Sequence, residues 1–194
     1  QEQYLGQWVF YGGLVYPTFR HDLHAINPFD IPRHWKVIRG IDFGHRDPFT
    51  CLWAAIGDYG EIYIFQEYYC VEGKSIREHA STIHGLSEGY KITHTVADPE
   101  SSQSIEDLNY ESIGADPANN DRQAGRMRVM EYLLPTDDAK VPYPLQNIVN
   151  LSLQKNPRLY IFKTCKELLR ELKFYRWKEG RAVEGDKEKT VGDD

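Results

Sequence analysis

Val37-Ile38-Arg39-Gly40-Ile41-Asp42-Phe43-Gly44 is an apolar, β-branched run that ends on an aspartate. Such a run reads as a strand, and an ionised carboxylate at the end of a buried strand needs a partner or a purpose. Two further runs rich in Val, Ile, Tyr, Phe and Trp follow at 50–56 and 61–69, after breaks at Asp47-Pro48 and Asp58-Tyr59-Gly60. Three such runs with short breaks predict an antiparallel meander over 36–69.

Beyond the meander the pattern changes. Ile76, Ala80 and Ile83 recur at helical spacing in a segment ending near Gly89, and a short strand over 93–97 delivers Asp98-Pro99. A helix over 102–108, a short strand near Ile113 and a helix over 121–134 capped by Asn120 continue the alternation. Residues 135–157 hold four prolines and show no period, which predicts a long surface loop before a strand over 158–162. Thr164 and Glu167 have capping-box spacing and open a helix with Leu168, Leu172 and Tyr175 as its apolar stripe. A meander followed by alternating helices and strands predicts a mixed α/β sheet with helices on both faces. Residues 1–35, with Gly12-Gly13, Pro17, Asn27-Pro28 and Ile31-Pro32, read as an irregular lead-in arm with one short hairpin.

Composition sets the outer bounds. A 194-residue chain with 41% hydrophobic and 27% charged residues has the profile of a folded domain. No apolar run approaches the roughly 20 residues of a membrane span, and residues 1–8 lack the features of a signal peptide. Cys51, Cys70 and Cys165 are too few and too scattered for a disulfide framework or structural zinc site, which predicts a reducing compartment. The net charge of −6 argues against a protein that coats nucleic acid, yet between Lys155 and Arg181 nine basic residues face three acids. Lys166, Arg170 and Lys173 form one face of the last helix there: a DNA-backbone surface, or a solvated face.

The chemistry centres on carboxylates. Asp42 and Asp98 each end an apolar strand, so neighbouring strands can present both at one sheet edge, and hard oxygen ligands so arranged suit Mg²⁺ or Mn²⁺. Taken singly, each is as well explained as the cap of the following turn. Other matches fail. Asp42-Phe43-Gly44 and His45-Arg46-Asp47 spell two kinase motifs in reversed order and without their context. There is no HExxH, His21 and His24 sit in the arm, and Ser101 to Ser104 lacks a nucleophile elbow.

Several stretches together resemble the nuclease portion of phage terminase large subunits. They are Gly6-Gln7-Trp8, Gly13-Leu14-Val15-Tyr16-Pro17, Arg39 to Gly44 with Asp47-Pro48-Phe49, Ala97-Asp98-Pro99, and Glu167 to Leu172 with Tyr175-Arg176-Trp177. The resemblance implies a ribonuclease-H-like endonuclease that cuts concatemeric double-stranded DNA, without sequence preference, during viral genome packaging. Asp42 and Asp98 then match the first two acids of a site for two Mg²⁺ or Mn²⁺ ions, and Asp193 or Asp194 matches the third. Asp47 and His45, just past Asp42, become candidates to orient water. The implied partners are duplex DNA, the portal protein and the small terminase subunit, and the implied location is the host cytoplasm. Residues 1–35 would be the lead-in from an ATPase domain and 36–194 a nuclease domain shortened at its C-terminus, monomeric when isolated. Without GxxxxGK[ST], no ATPase activity is expected of this chain. Two rivals remain: a transposase or integrase of the same fold with Glu131, 33 residues after Asp98, as third acid, and a non-catalytic DNA- or portal-binding module.

Overall fold

The computed structural model of the chain describes residues 13–44, 47–137, 155–178 and 181–183. Helix α1 (His21–His24) and strand β1 (Ala25–Ile26) come first, followed by the meander: β2 (Lys36–Asp42), β3 (Phe49–Ile56) and β4 (Ile62–Cys70). Next are α2 (Ile76–Ser87), β5 (Ile92–Ala97), α3 (Ser102–Tyr110), β6 (Asp116–Pro117) and α4 (Arg122–Leu133). The last elements are β7 (Leu159–Phe162), α5 (Lys166–Phe174) and the pair β8 (Arg176–Lys178) and β9 (Arg181–Val183). Seven strands make one mixed sheet in the order β1-β7-β4-β3-β2-β5-β6, while β8 and β9 form a separate hairpin.

The meander is antiparallel, and β5 adds to its β2 edge in parallel. Side chains alternate across the sheet, so Phe49, Cys51, Trp53 and Ala55 of β3 are buried on one face while their neighbours are half-buried on the other. Helix α2 covers the first face, where His79 stacks on Phe49 with ring centres 3.8 Å apart. On this face Arg39 is 5% exposed and reaches three neutral acceptors: Thr95 Oγ1 (3.0 Å), Ser87 Oγ (3.0 Å) and the Ile113 carbonyl (2.9 Å). Burial away from any carboxylate lowers the pKa of its guanidinium. One cation thereby ties β2 to β5, to the end of α2 and to the loop after α3.

The opposite face carries α5, whose Leu169 and Leu172 are buried and Leu168 half-buried. Its first turn is not held by the predicted box. Cys165 stands at the N-cap without a side-chain capping bond, its thiol donating to the Ile64 carbonyl instead (3.7 Å), and Glu167 turns to Arg170 (2.8 Å). The orphan amides of Glu167 and Leu168 donate to the two oxygens of Glu67 on β4, at 2.9 and 3.0 Å. The helix stops at Phe174 and Tyr175 is extended, because its carbonyl accepts from the amide of Val15 (2.9 Å).

Other local expectations shift too. Part of the arm forms α1 and β1, and β1 pairs in parallel with β7; the first 12 residues of the arm, and any hairpin there, lie outside the described residues. The strand expected near Ile113 lies three residues later, at β6, with Ile113 buried beside it. Asp121, not Asn120, caps α4, accepting from the Ala124 amide at 2.9 Å. Of the predicted loop, 138–154 lie outside the described residues, and its ends pair at Thr136 and Asn156. Among the described residues no helix is long and apolar enough to cross a membrane.

Arg39→Met should cost about 2–4 kcal/mol of stability, since it strips the Ile113 carbonyl and the Thr95 hydroxyl of their buried donor. Urea unfolding measures this, and a change below about 0.5 kcal/mol would contradict the clamp.

Candidate active site

Two strand ends build the site. β2 and β5 run parallel with Ile41 opposite Ala97, and the Asp98 amide donates to the Ile41 carbonyl at 3.2 Å. Parallel partners share a face, so Asp42 and Asp98 leave the same face of adjacent strands at the same level. Each also performs the local capping that its sequence suggests. Asp42 Oδ1 accepts from the Gly44 amide (3.1 Å), and Asp98 Oδ1 accepts from the Glu100 amide (2.9 Å) as a 3-10 turn, Pro99–Ser101, begins. Capping engages Oδ1 of each carboxylate, and both residues line one cleft. Among the described residues neither acid has a basic partner: Arg122, the nearby cation, is bound to Glu100 at 2.6 Å.

The cleft encloses about 330 Å³. Thr50 and Leu52 of β3 and Val96 of β5 form its floor, and Asn119 and Asn120, after β6, form a wall. Those two asparagines and Thr50 escaped the sequence reading, in which Asn120 was only a helix cap. Their signal lies in the topology, because β6 adds beside β5 at Val96 and carries the following loop over the cleft.

Gly44 lets the chain leave β2. Its φ of +54° is left-handed, and a Cβ there would collide with the carbonyl oxygens of Asp47 and Pro48. Asp47 is exposed in this loop, and His45 lies outside the described residues. Asp193 and Asp194 also lie outside them. Among the described residues no three potential metal ligands cluster.

Glu131 is elsewhere. It pairs with Arg128 (2.8 Å) and with Arg158 (3.0 Å), which directly precedes β7. Leu159 is level with Ile62, Ile62 with Ile56, and Ile56 with Lys36 at the start of β2. Six residues of strand, roughly 20 Å, separate that level from Asp42. On α5, Lys166, Arg170 and Lys173 are all exposed. Arg170 is held by Glu167 and lies 3.8 Å from Glu171, and the Lys173 amine sits over its neighbour Phe174, 5.3 Å from the ring centre.

No family model matches the chain. Over 126 residues it is 28% identical to the terminase large subunit of Escherichia phage T5, a match covering 61% of this chain and 28% of that protein. The structure superposes on the large terminase of a thermophilic bacteriophage, solved in complex with ADP, with a TM-score of 0.71 at 23% identity, over 92% of this chain and 42% of that one. It also superposes on the nuclease domain of the P22 large terminase, with a TM-score of 0.67 at 16% identity, over 88% of this chain and 84% of that domain. The chain has the fold of a terminase nuclease domain. The SPP1 large-terminase nuclease domain, solved with bound Mn, is a more distant neighbour: TM-score 0.51, 16% identity, 79% of this chain and 78% of that one. The chain thus spans less than half the length of the T5 and thermophilic-phage proteins and most of the length of the excised nuclease domains. This ribonuclease-H-like architecture agrees with the mixed sheet expected from the sequence.

Gly44→Ala should cost about 1–3 kcal/mol, because it adds both a left-handed alanine and a backbone collision. A thermal melt indistinguishable from that of the parent chain would show that the turn after Asp42 is not constrained in this way.

Proposed function

We propose that this chain is the nuclease domain of a DNA-packaging terminase, hydrolysing phosphodiester bonds of duplex DNA with divalent metal ions held by Asp42 and Asp98. One observation carries the reading: two carboxylates without a cationic partner among the described residues stand side by side at the edge of a terminase-nuclease fold. The donor set fits the group. Hard carboxylate oxygens favour Mg²⁺ or Mn²⁺ over softer ions, and Mn is bound in the SPP1 relative. A pair of such ions, when bound, supplies the charge that stabilises the attacking and leaving oxygens of an in-line displacement. Asp193 or Asp194 is proposed as the third acidic ligand, with Asp47 and His45 orienting water beside Asp42.

The protein's own residues then divide the work. Asp42 and Asp98 are held in place by their bonds to the Gly44 and Glu100 amides, so their free oxygens need little reorganisation to bind a cation. The cleft is open, as a polymeric substrate requires, and the cations of α5 meet the DNA backbone without reading bases. Residues 1–35 are proposed to connect to an upstream ATPase domain, with β1 docked on the nuclease sheet. The portal protein and small terminase subunit are the partners proposed for the intact motor in the host cytoplasm. The transposase reading loses support because Glu131 is ion-paired near the opposite end of the strands.

Incubation with supercoiled plasmid should give nicked and linear products with Mn²⁺ or Mg²⁺ and none in excess EDTA. Asp42→Asn and Asp98→Asn should each slow cutting by at least about 100-fold, and the joint replacement of Asp193 and Asp194 by Ala should do likewise. Glu131→Ala should cut normally. Undiminished cutting in EDTA, or an inactive but folded Glu131→Ala, would refute the proposal.

A further inference from the structure

Glu67 lies off the cleft and was not singled out by the sequence, yet it makes the contact that seats α5. Both of its oxygens accept backbone amides at the start of that helix, from Glu167 at 2.9 Å and Leu168 at 3.0 Å. A carboxylate between two amides at a helix start is a strong anchor, because negative charge there meets the positive end of the helix dipole. The local cap that would have competed, Thr164 with Glu167, is not used.

Sheet register shows what this anchor aligns. Gly40, Leu52 and Glu67 face one another across β2, β3 and β4, and so do Asp42, Thr50 and Tyr69 one pleat further on. Partners across antiparallel strands share a face, so Glu67 and Tyr69 continue the face that carries Asp42. Arg170 is within electrostatic range of Tyr69: its pKa is raised chiefly by the hydrogen bond it donates to Glu167, then by the Glu167 charge, with smaller contributions from Tyr69 and Glu171. Two strand spacings, roughly 10 Å, separate Tyr69 from Asp42 along this row. The pairing of Arg170 with Glu167 is on a half-exposed surface, where such pairs are weak and yield easily to a phosphate. Lys173 is folded over Phe174, and among the described residues no ion pair ties Lys166 or Lys173 to the row.

We infer that Glu67 is a positioning residue for DNA: by capping α5 it fixes Arg170 beside the Asp42 row, making Arg170 the cation of that helix that grips the backbone a few nucleotides from the scissile bond. The inference rests on the proposed nuclease reading and deepens it. It carries a counterintuitive sign. Removing a carboxylate from a DNA-facing surface would by charge alone tighten binding, whereas loss of the cap frees Arg170 and loosens it.

Binding of the 194-residue chain to a fluorescent duplex is followed by anisotropy across a KCl series in EDTA, with melting curves confirming that each variant is folded. Glu67→Gln and Arg170→Ala should each weaken binding about 3- to 10-fold and flatten the log–log salt dependence by about 0.9, the signature of one lost phosphate contact. The double variant should bind no more weakly than Arg170→Ala alone, because both changes remove one contact. Glu67→Gln combined with Lys173→Ala should be additive. If the Gln variant fails to fold, Glu67→Asp, which keeps the charge but shortens the reach, replaces it with the same expectation. Tighter or unchanged binding by the Glu67 variant, or additivity with Arg170→Ala, would overturn the positioning role while parental binding and cleavage leave the nuclease reading intact. A parental chain that binds no duplex would overturn both.

Discussion

The parallel pairing of β2 with β5 is the constraint on which the rest of the molecule depends. A meander alone would leave Asp42 as one exposed carboxylate beyond a strand. The α2 crossover returns the chain so that β5 lies beside β2 in the same direction, and the bond from the Asp98 amide to the Ile41 carbonyl sets the two acids level. Slippage by one residue would turn either acid to the opposite face. Arg39, which joins β2, β5, the end of α2 and the loop after α3 from the buried face, opposes such slippage.

Charge is distributed unevenly around that pairing. The chain is acidic overall, and the cleft presents two carboxylates without compensating bases among the described residues. A polyanionic substrate can approach such a site only if cations intervene there and basic groups stand nearby. In the proposed function the α5 surface meets the second need, and the donor chemistry of Asp42 and Asp98 suits the first. The helix is attached through a carboxylate of the same sheet. One face of the sheet therefore supplies both the acids of the cleft and the anchor of the cationic helix.

Much of this was legible in the sequence because the signals were local. The apolar runs ending in Asp42 and Asp98 gave the strands and their terminal acids, and the breaks at Asp58-Tyr59-Gly60 and Asp47-Pro48 gave the meander. What stayed hidden depends on distant partners. The cap of α5 comes from Glu67, 100 residues earlier, so the local Thr164 and Glu167 spacing misleads. Two-residue β1 is a strand only because β7 lies alongside it, and residues 13–15 of the arm are ordered by bonds to Tyr175 and Trp177. Hairpin β8–β9 had one readable sign, Gly180 between two short runs. Asn119 and Asn120 reach the cleft through the placement of β6, which no pattern of residue types announces.

Divalent cation placement tests the central claim most directly. Crystals of this chain soaked in Mn²⁺ and measured at the manganese absorption edge should show anomalous density within coordinating distance of both Asp42 and Asp98, lost in the Asp42→Asn, Asp98→Asn double variant. Manganese that binds elsewhere with these two carboxylates bare, or that persists between them in the double variant, would contradict the account.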